Sequence, residues 1–281
     1  MTQPAHYTWR KLASGKWEDA WVERLRWISD RLAITSLAGA KTIRLEAFEL
    51  SRAQAERLKK GFGGVIALQK SQRAVSQTPR RPIRVRNRLV VAGSKEERDA
   101  AIKTLALRKV MAIPAGMAFG TGDHATTSAC LRFLVDVSEE MGMATWDFLD
   151  LGCGSGILAI AARLLGAQSV LAGDFDPDAV RTAKQNVRLN RVTDVEVERL
   201  DVRTWKPHRT WDIVGANLYS GLLIEVAPVI AKACAHRGQL IFSGILRSQE
   251  AEVMEALGNV GFTMKEVVRK GKWVAGLAER A

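Results

Sequence analysis

Three short stretches of this chain combine residue types that do chemistry. AFGTGDHATT at 118–127 gathers two glycines, three threonines and a histidine. About one helix length downstream, DLGCGSG at 150–156 sets an acid ahead of three alternating glycines. Glycines let a backbone turn tightly and approach a ligand, and a helix that follows offers unpaired N–H groups. Two such loops predict two walls of one small-molecule site. Asp174, eighteen residues after Gly156, closes the next apolar run, where a carboxylate can accept from both hydroxyls of a ribose. ANLYS at 216–220 then lines up an amide, a backbone carbonyl and a phenol at the exit of another apolar run.

These groups need elements to hold them. A chain of 281 residues, 47% hydrophobic and 26% charged, suits a globular protein of about two domains. It has no apolar run of about 18 residues or more, so no membrane span is expected, and MTQPAHYTWRK does not read as a secretory signal. Cys130, Cys153 and Cys234 have neither metal-site spacing nor an even disulfide count. No metal and a reducing, cytoplasmic setting are the expectations.

Charge is uneven. Residues 1–110 hold 24 Lys+Arg against 10 Asp+Glu, while residues 111–281 hold 18 against 20. A basic front either steers the protein toward an anionic partner such as RNA or is a solvated surface. Within it, YTWRKL, LAITSL, TIRLEAFEL and VIALQK read as strands. Trp17, Trp21, Leu25 and Ile28 mark a helix over 16–28, and SRAQAERLKKGFGG a second, capped by Ser51. That is the β-α-β-β-α-β order of a ferredoxin-like module. SQRAVSQTPRRPIRVRNR at 71–88 reads as a basic connector, followed by an edge strand.

After Ala118, strands alternate with helices through WDFLDL, ILAIAARLLGA, SVLAGDFD, PDAVRTAKQNVRLN, VEVERLDV, DIVGANLY and GLLIEVAPVIAKAC. The end of the chain adds a strand, a helix and a hairpin turning at Lys270-Gly271. The pattern predicts a doubly wound, mostly parallel seven-stranded Rossmann-like sheet with a C-terminal antiparallel hairpin. Three regions are expected: a small α+β recognition domain at 1–78, a basic linker at 79–104 and a catalytic domain at 105–281.

The glycine loop leaves readings open. A dinucleotide loop needs G-x-G-x-x-G, and Ile157 stands where its last glycine would be. The spacing D-x-G-x-G-x-G resembles the S-adenosylmethionine (SAM) site of class I methyltransferases, and a structural turn is the third reading. On the SAM reading, Asp150 helps neutralise the ammonium of the cofactor's amino acid tail. Asp201, which ends VEVERLD, then matches the position that bonds the adenine amino group.

ANLYS resembles the N-P-P-Y loop of amino-group methyltransferases, with Leu218 in place of a proline. A lysine of pKa about 10.4 is neutral well below ~1% of the time at pH 7. Such a site therefore needs acceptors to aim the amine lone pair, here the Asn217 side-chain oxygen and the Leu218 carbonyl, with Tyr219 packing on the cation. A strand-ending asparagine turn is the alternative.

AFGTGDHATT, DLGCGSGILAIAA, the acid of DFDP, ANLY and SGILRSQ occur here in one order. Together they resemble the ribosomal protein L-eleven (L11) methyltransferase family, PrmA. The resemblance covers residues from about 82 onward and is weaker over 1–80. It implies that AFGTGDHATT closes over SAM, with Thr127, Gly152, Gly154, Asp174 and Asn217 at cofactor-contacting positions and Phe119 covering the cofactor or the substrate amine. His124 is either a general base or an organiser of the loop.

The function so implied is SAM-dependent N-methylation of lysine side chains, and of the N-terminal amine, of L11, free or on the large ribosomal subunit. S-adenosylhomocysteine is the other product. Two alternatives are methylation of another protein's lysine, as in the electron-transfer flavoprotein type, and an RNA or DNA base N-methyltransferase. A ribosome-binding protein that retains the fold without catalysis is a third.

Overall fold

The computed structural model describes residues 6–14, 21, 24–25, 28, 31–36, 42–69, 82–104, 109–114, 122 and 124–281. By packing, the chain divides into two units, Met1–Thr78 and Pro79–Ala281.

In the first unit, β1 (His6–Ser14), β2 (Leu32–Ser36), β3 (Thr42–Leu50) and β4 (Val65–Gln69) form a sheet ordered β2-β3-β1-β4, all neighbours antiparallel. The helix α1 (Arg52–Phe62) starts where its sequence signals: Ser51 Oγ accepts from the Gln54 N–H at 3.2 Å, and Gln54 Oε1 accepts from the Ser51 N–H at 2.9 Å. Trp9, Leu45 and Leu58 are buried between sheet and helix. Of the apolar positions expected on a helix over 16–28, Leu25 and Ile28 are buried with them and Trp21 packs against them, while Trp17 lies outside the described residues.

The second unit opens with a correction. Residues 79–104 are expected as a basic linker that contains one edge strand, RVRNRLVVAG at 84–93. Residues 70–81 lie outside the described residues, but 83–104 fold as β5 (Ile83–Val85), β6 (Leu89–Ala92) and α2 (Lys95–Thr104). β5 and β6 form a hairpin, and β6 pairs in parallel with β7 (Lys109–Ala112). The reason is burial: Val85, Leu89 and Val91 join the core of the second unit. Several basic residues of this stretch are also engaged internally. Arg86 holds Asp136 through two hydrogen bonds of 2.9 and 2.5 Å, Arg88 lies 3.4 Å from Glu139, and Arg98, 5% exposed, bonds Asp99 and the Leu189 carbonyl.

The large sheet contains β8 (Phe148–Leu151), β9 (Val170–Asp174), β10 (Val195–Arg199), β11 (Trp211–Asn217), β12 (Cys234–Leu246), β13 (Phe262–Lys270) and β14 (Trp273–Arg280). Its order is β10-β9-β8-β11-β12-β14-β13, parallel except for β14, which runs antiparallel to both neighbours. All four residues of β8 are buried, as a central strand covered on both faces requires. One face packs against α3 (Ala125–Met141) and α4 (Ile157–Leu165), through Phe148, Ile213, Leu131 and Ile160. The other packs against α6 (Ser220–Ala233) and α7 (Glu250–Asn259), through Leu149, Val214, Leu223 and Leu257. The remaining helix, α5 (Pro177–Asn190), follows β9. The sheet is thus doubly wound, with the expected hairpin at its edge. No helix among the described residues is long and apolar enough to cross a membrane.

Candidate active site

The strand order brings the ends of β8, β9, β10 and β11 together, and the predicted residues gather there. The Gly152 and Cys153 N–H groups both donate to the Gly173 carbonyl, at 2.8 and 3.0 Å, which ties the glycine loop to the end of β9. Beside it, Asp174 accepts from the Gly154 N–H at 2.9 Å and from the Asp176 N–H at 3.0 Å. Its carboxylate is therefore fixed in orientation by the loop that it borders.

Asp150 sits at the back, 1% exposed, and accepts from the Ala159 N–H at 3.2 Å in the first turn of α4. Burial pushes its pKa up to about 7; the Ala159 hydrogen bond opposes the rise and the nearby Asp174 charge adds to it.

A cavity of about 280 Å³ opens over these groups, lined by Thr127, Asp150, Gly152, Gly154, Asp174, Asp201, Asn217, Leu218 and Tyr219 among others. Ten cofactor-binding or catalytic positions are expected from sequence. The structure brings these nine together, whereas Phe119 lies outside the described residues. Two polar atoms in the wall, Thr127 Oγ1 and Asn217 Oδ1, are buried with no partner among the described residues. A buried acceptor without a donor costs about 1–3 kcal/mol, so these atoms mark where a ligand's donors belong. Acid, glycine loop, ribose-type carboxylate and orphaned acceptors form a set that fits a charged nucleoside cofactor.

The loop after β11 is held by contacts that no local sequence motif carries. A Cβ at Gly152 would lie 2.4 Å from Leu218 Cδ2, so the two loops touch through a missing side chain. Gly244, at φ +90°, packs directly on the Leu218 backbone. The SGILRSQ stretch was noticed in sequence, but nothing in it assigned Gly244 to Leu218. Tyr219 is 59% exposed, and its hydroxyl accepts from Arg203 Nη2 at 2.8 Å. Arg203 had no signal beyond lying two residues past Asp201.

His124 opens α3. Its Nδ1 lies 2.7 Å from Thr126 Oγ1 and its ring meets Trp273 edge-on at 5.0 Å, while burial, and then Lys272, lower its pKa. His124 occupies the N-cap position of α3 with no side-chain capping bond.

Residues 72–281 match the model of the family described as ribosomal protein L11 methyltransferase (PrmA). The chain is 41% identical over 202 residues to a ribosomal protein L11 methyltransferase of Heliobacterium modesticaldum, covering 72% of this chain and 61% of that one. It is 38% identical over 203 residues to the same enzyme of Pelobacter propionicus, covering 72% and 64%. Among solved structures, the ribosomal protein L11 methylase of Lactobacillus delbrueckii subsp. bulgaricus is similar at 28% identity and a TM-score of 0.61, over 71% of this chain and 98% of that one. The chain spans less than two thirds of the length of these two curated relatives.

Proposed function

The chain belongs to the ribosomal protein L11 methyltransferase family, and from that premise we propose that it transfers methyl groups from SAM to lysine side chains, and to the N-terminal amine, of ribosomal protein L11. When bound, SAM supplies a methyl group activated by a sulfonium. The observation that carries the reading is Asn217, which lines the same cavity as Leu218, Asp150, Asp174 and Thr127 and whose side-chain oxygen is buried with no partner among the described residues.

In this reading Asp150 faces the cofactor's ammonium, Asp174 its ribose and Asp201 its adenine, while Thr127 donates or accepts at the amino acid tail. Asn217 Oδ1 and the Leu218 carbonyl take the hydrogens of the incoming neutral amine. Its lone pair then points along the line of displacement. With SAM in place, the sulfonium would supply the methyl to that lone pair, S-adenosylhomocysteine would be the leaving group, and the amine's extra proton would go to water. Positioning of this kind can supply about 7–11 kcal/mol of the barrier, so the residues need no general base. Phe119 is assigned to cover the cofactor or the substrate amine, and the unit 1–78 to hold the substrate.

Intact-mass spectrometry of L11, free and in large subunits, after incubation with the protein and SAM tests this. Mass steps of one methylene, lost in Asn217→Ala, are expected. If L11 stays unmodified while labelled SAM marks another protein or RNA, the substrate assignment fails. Contact of the basic residues 1–110 with ribosomal RNA would show as a rate on subunits that falls with salt more steeply than on free L11.

A further inference from the structure

At the mouth of the cavity, three chain segments meet in one side chain. The guanidinium of Arg203 donates to the Tyr219 hydroxyl at 2.8 Å and to Glu225 Oε2 at 3.1 Å. Its own backbone N–H donates to Asp201 Oδ1 at 3.0 Å. Arg203 thus joins the loop after β10, where Asp201 faces the cavity, to the loop after β11 that carries Asn217 and Tyr219, and to the first half of α6.

Stability does not explain this arrangement. The Arg203 and Glu225 side chains are 40% and 53% exposed, and ion pairs in that setting contribute about 0–1 kcal/mol. Nor does Tyr219 need a partner for burial, since most of it faces solvent. What the arrangement does is restrict the phenol ring, which has two rotatable bonds and is otherwise free to swing across the opening.

Charge points the same way. Arg203 is balanced by two carboxylates, Glu225 at 3.1 Å and Asp201 at 3.9 Å, so the trio carries one negative charge in excess. A lone arginine at this mouth would repel a lysine; this arrangement braces the ring and still attracts a cation.

We propose that Arg203 is a positioning residue for the acceptor: it holds the Tyr219 ring at the mouth of the cavity as one wall of a channel that admits a cationic lysine-type side chain. This rests on the proposed amine methyl transfer. Because Arg203 acts through Tyr219, it governs acceptor binding and leaves cofactor affinity nearly untouched. The planar fork is needed to reach the phenol and Glu225 together, so a lysine restores the charge without the brace.

Kinetics with L11 and calorimetry with S-adenosylhomocysteine test the inference on Arg203→Ala, Arg203→Lys, Tyr219→Phe and the double variant Arg203→Ala/Tyr219→Phe. Loss of one charge-assisted hydrogen bond predicts a KM for L11 raised about tenfold in each single variant. The Kd for S-adenosylhomocysteine should move less than about threefold: Arg203 lines the cavity, but its guanidinium hydrogen bonds go to Tyr219 and Glu225, and the backbone N–H that holds Asp201 is kept in every variant. The double variant should be no worse than either single one, because both remove the same contact. A Kd raised as much as the KM, or additive losses, overturns the proposal.

A readout free of activity separates this from the broader reading. The chain has two tyrosines, Tyr7 and Tyr219, so 3-fluorotyrosine gives two fluorine resonances, assigned by Tyr219→Phe. Arg203→Ala should shift the Tyr219 resonance and leave that of Tyr7 in place. An unmoved Tyr219 resonance overturns the brace. A wild-type protein inert toward L11, with the resonance shifted as expected, overturns the substrate assignment alone.

Discussion

A Cβ placed on Gly244 would lie 2.4 Å from the carbonyl oxygen of Leu218 and 2.8 Å from its carbonyl carbon. Real Cβ atoms do not approach so closely, and φ +90° at Gly244 disfavours any side chain there. β11 and β12 pair in parallel with Asn217 opposite Ser243, so this contact comes one step beyond the last rung, where the acceptor loop leaves the sheet. Gly244 is the seat of the Leu218 carbonyl.

Gly244→Ala should therefore displace the carbonyl proposed to accept from the amine. Misplacement of about 1 Å costs roughly 100-fold in rate, and kcat should fall by about that much while S-adenosylhomocysteine still binds. Turnover measured beside calorimetry checks it, with thermal melting to show that the variant folds. An unchanged kcat would remove the Leu218 carbonyl from the chemistry.

Asn217→Ala removes the orphaned acceptor. A group used mainly in the transition state lowers kcat and kcat/KM together, here by about 100-fold or more. Binding of S-adenosylhomocysteine should weaken much less. If binding collapses as far as turnover does, Asn217 serves the cofactor rather than the amine.

Asp150 predicts a pH dependence. Its pKa in the fold is about 7, above the ordinary 3.8, so the folded protein without cofactor keeps a proton that the unfolded chain loses. Stability without ligand should fall as pH rises from about 4 to 7, and level off above, since the folded state binds the extra proton only in that window. A ligand bearing an ammonium favours the ionised acid, so the Kd for SAM should tighten by up to about tenfold per pH unit below 7 and flatten above it. Calorimetry from pH 5.5 to 8 reads this slope, and Asp150→Asn should abolish it.

Leu89→Ala tests the place of residues 83–104. A leucine buried in the core of the second unit costs about 2–5 kcal/mol when truncated, whereas one in a flexible connector costs almost nothing. Urea denaturation of the full chain distinguishes the two. A midpoint unchanged by Leu89→Ala would return this stretch to the role of linker.

That correction shows where sequence reading stops. IRVRNRLVVAG reads as a single edge strand in which three arginines interrupt the apolar residues, and these alternate only over Ile83 and Val85. What makes it a sheet is the parallel pairing of Leu89–Ala92 with Lys109–Ala112, about twenty residues on, together with Asp136, which takes up Arg86 from a helix fifty residues away. No local pattern reports such partners.

By contrast, the elements after Ala125 were legible because each carries its own instructions. β8 is apolar on both faces, the glycines of DLGCGSG turn the chain where that strand ends, and Gly166 stops α4. Strand polarity then requires the loops bearing Asp150, Asp174, Asp201 and Asn217 to emerge on one edge, since parallel strands joined by helices all point the same way. That these residues gather around one cavity followed from the sequence itself. How the acceptor loop is held did not: Leu218 rests on Gly244 and Gly152, and Tyr219 is held by Arg203, through contacts between segments 16 to 66 residues apart that exist only once the sheet has formed. Periodicity and glycine spacing act within a few residues and can place a loop at a strand end; the atoms that fix its carbonyl and its ring come from elsewhere in the chain.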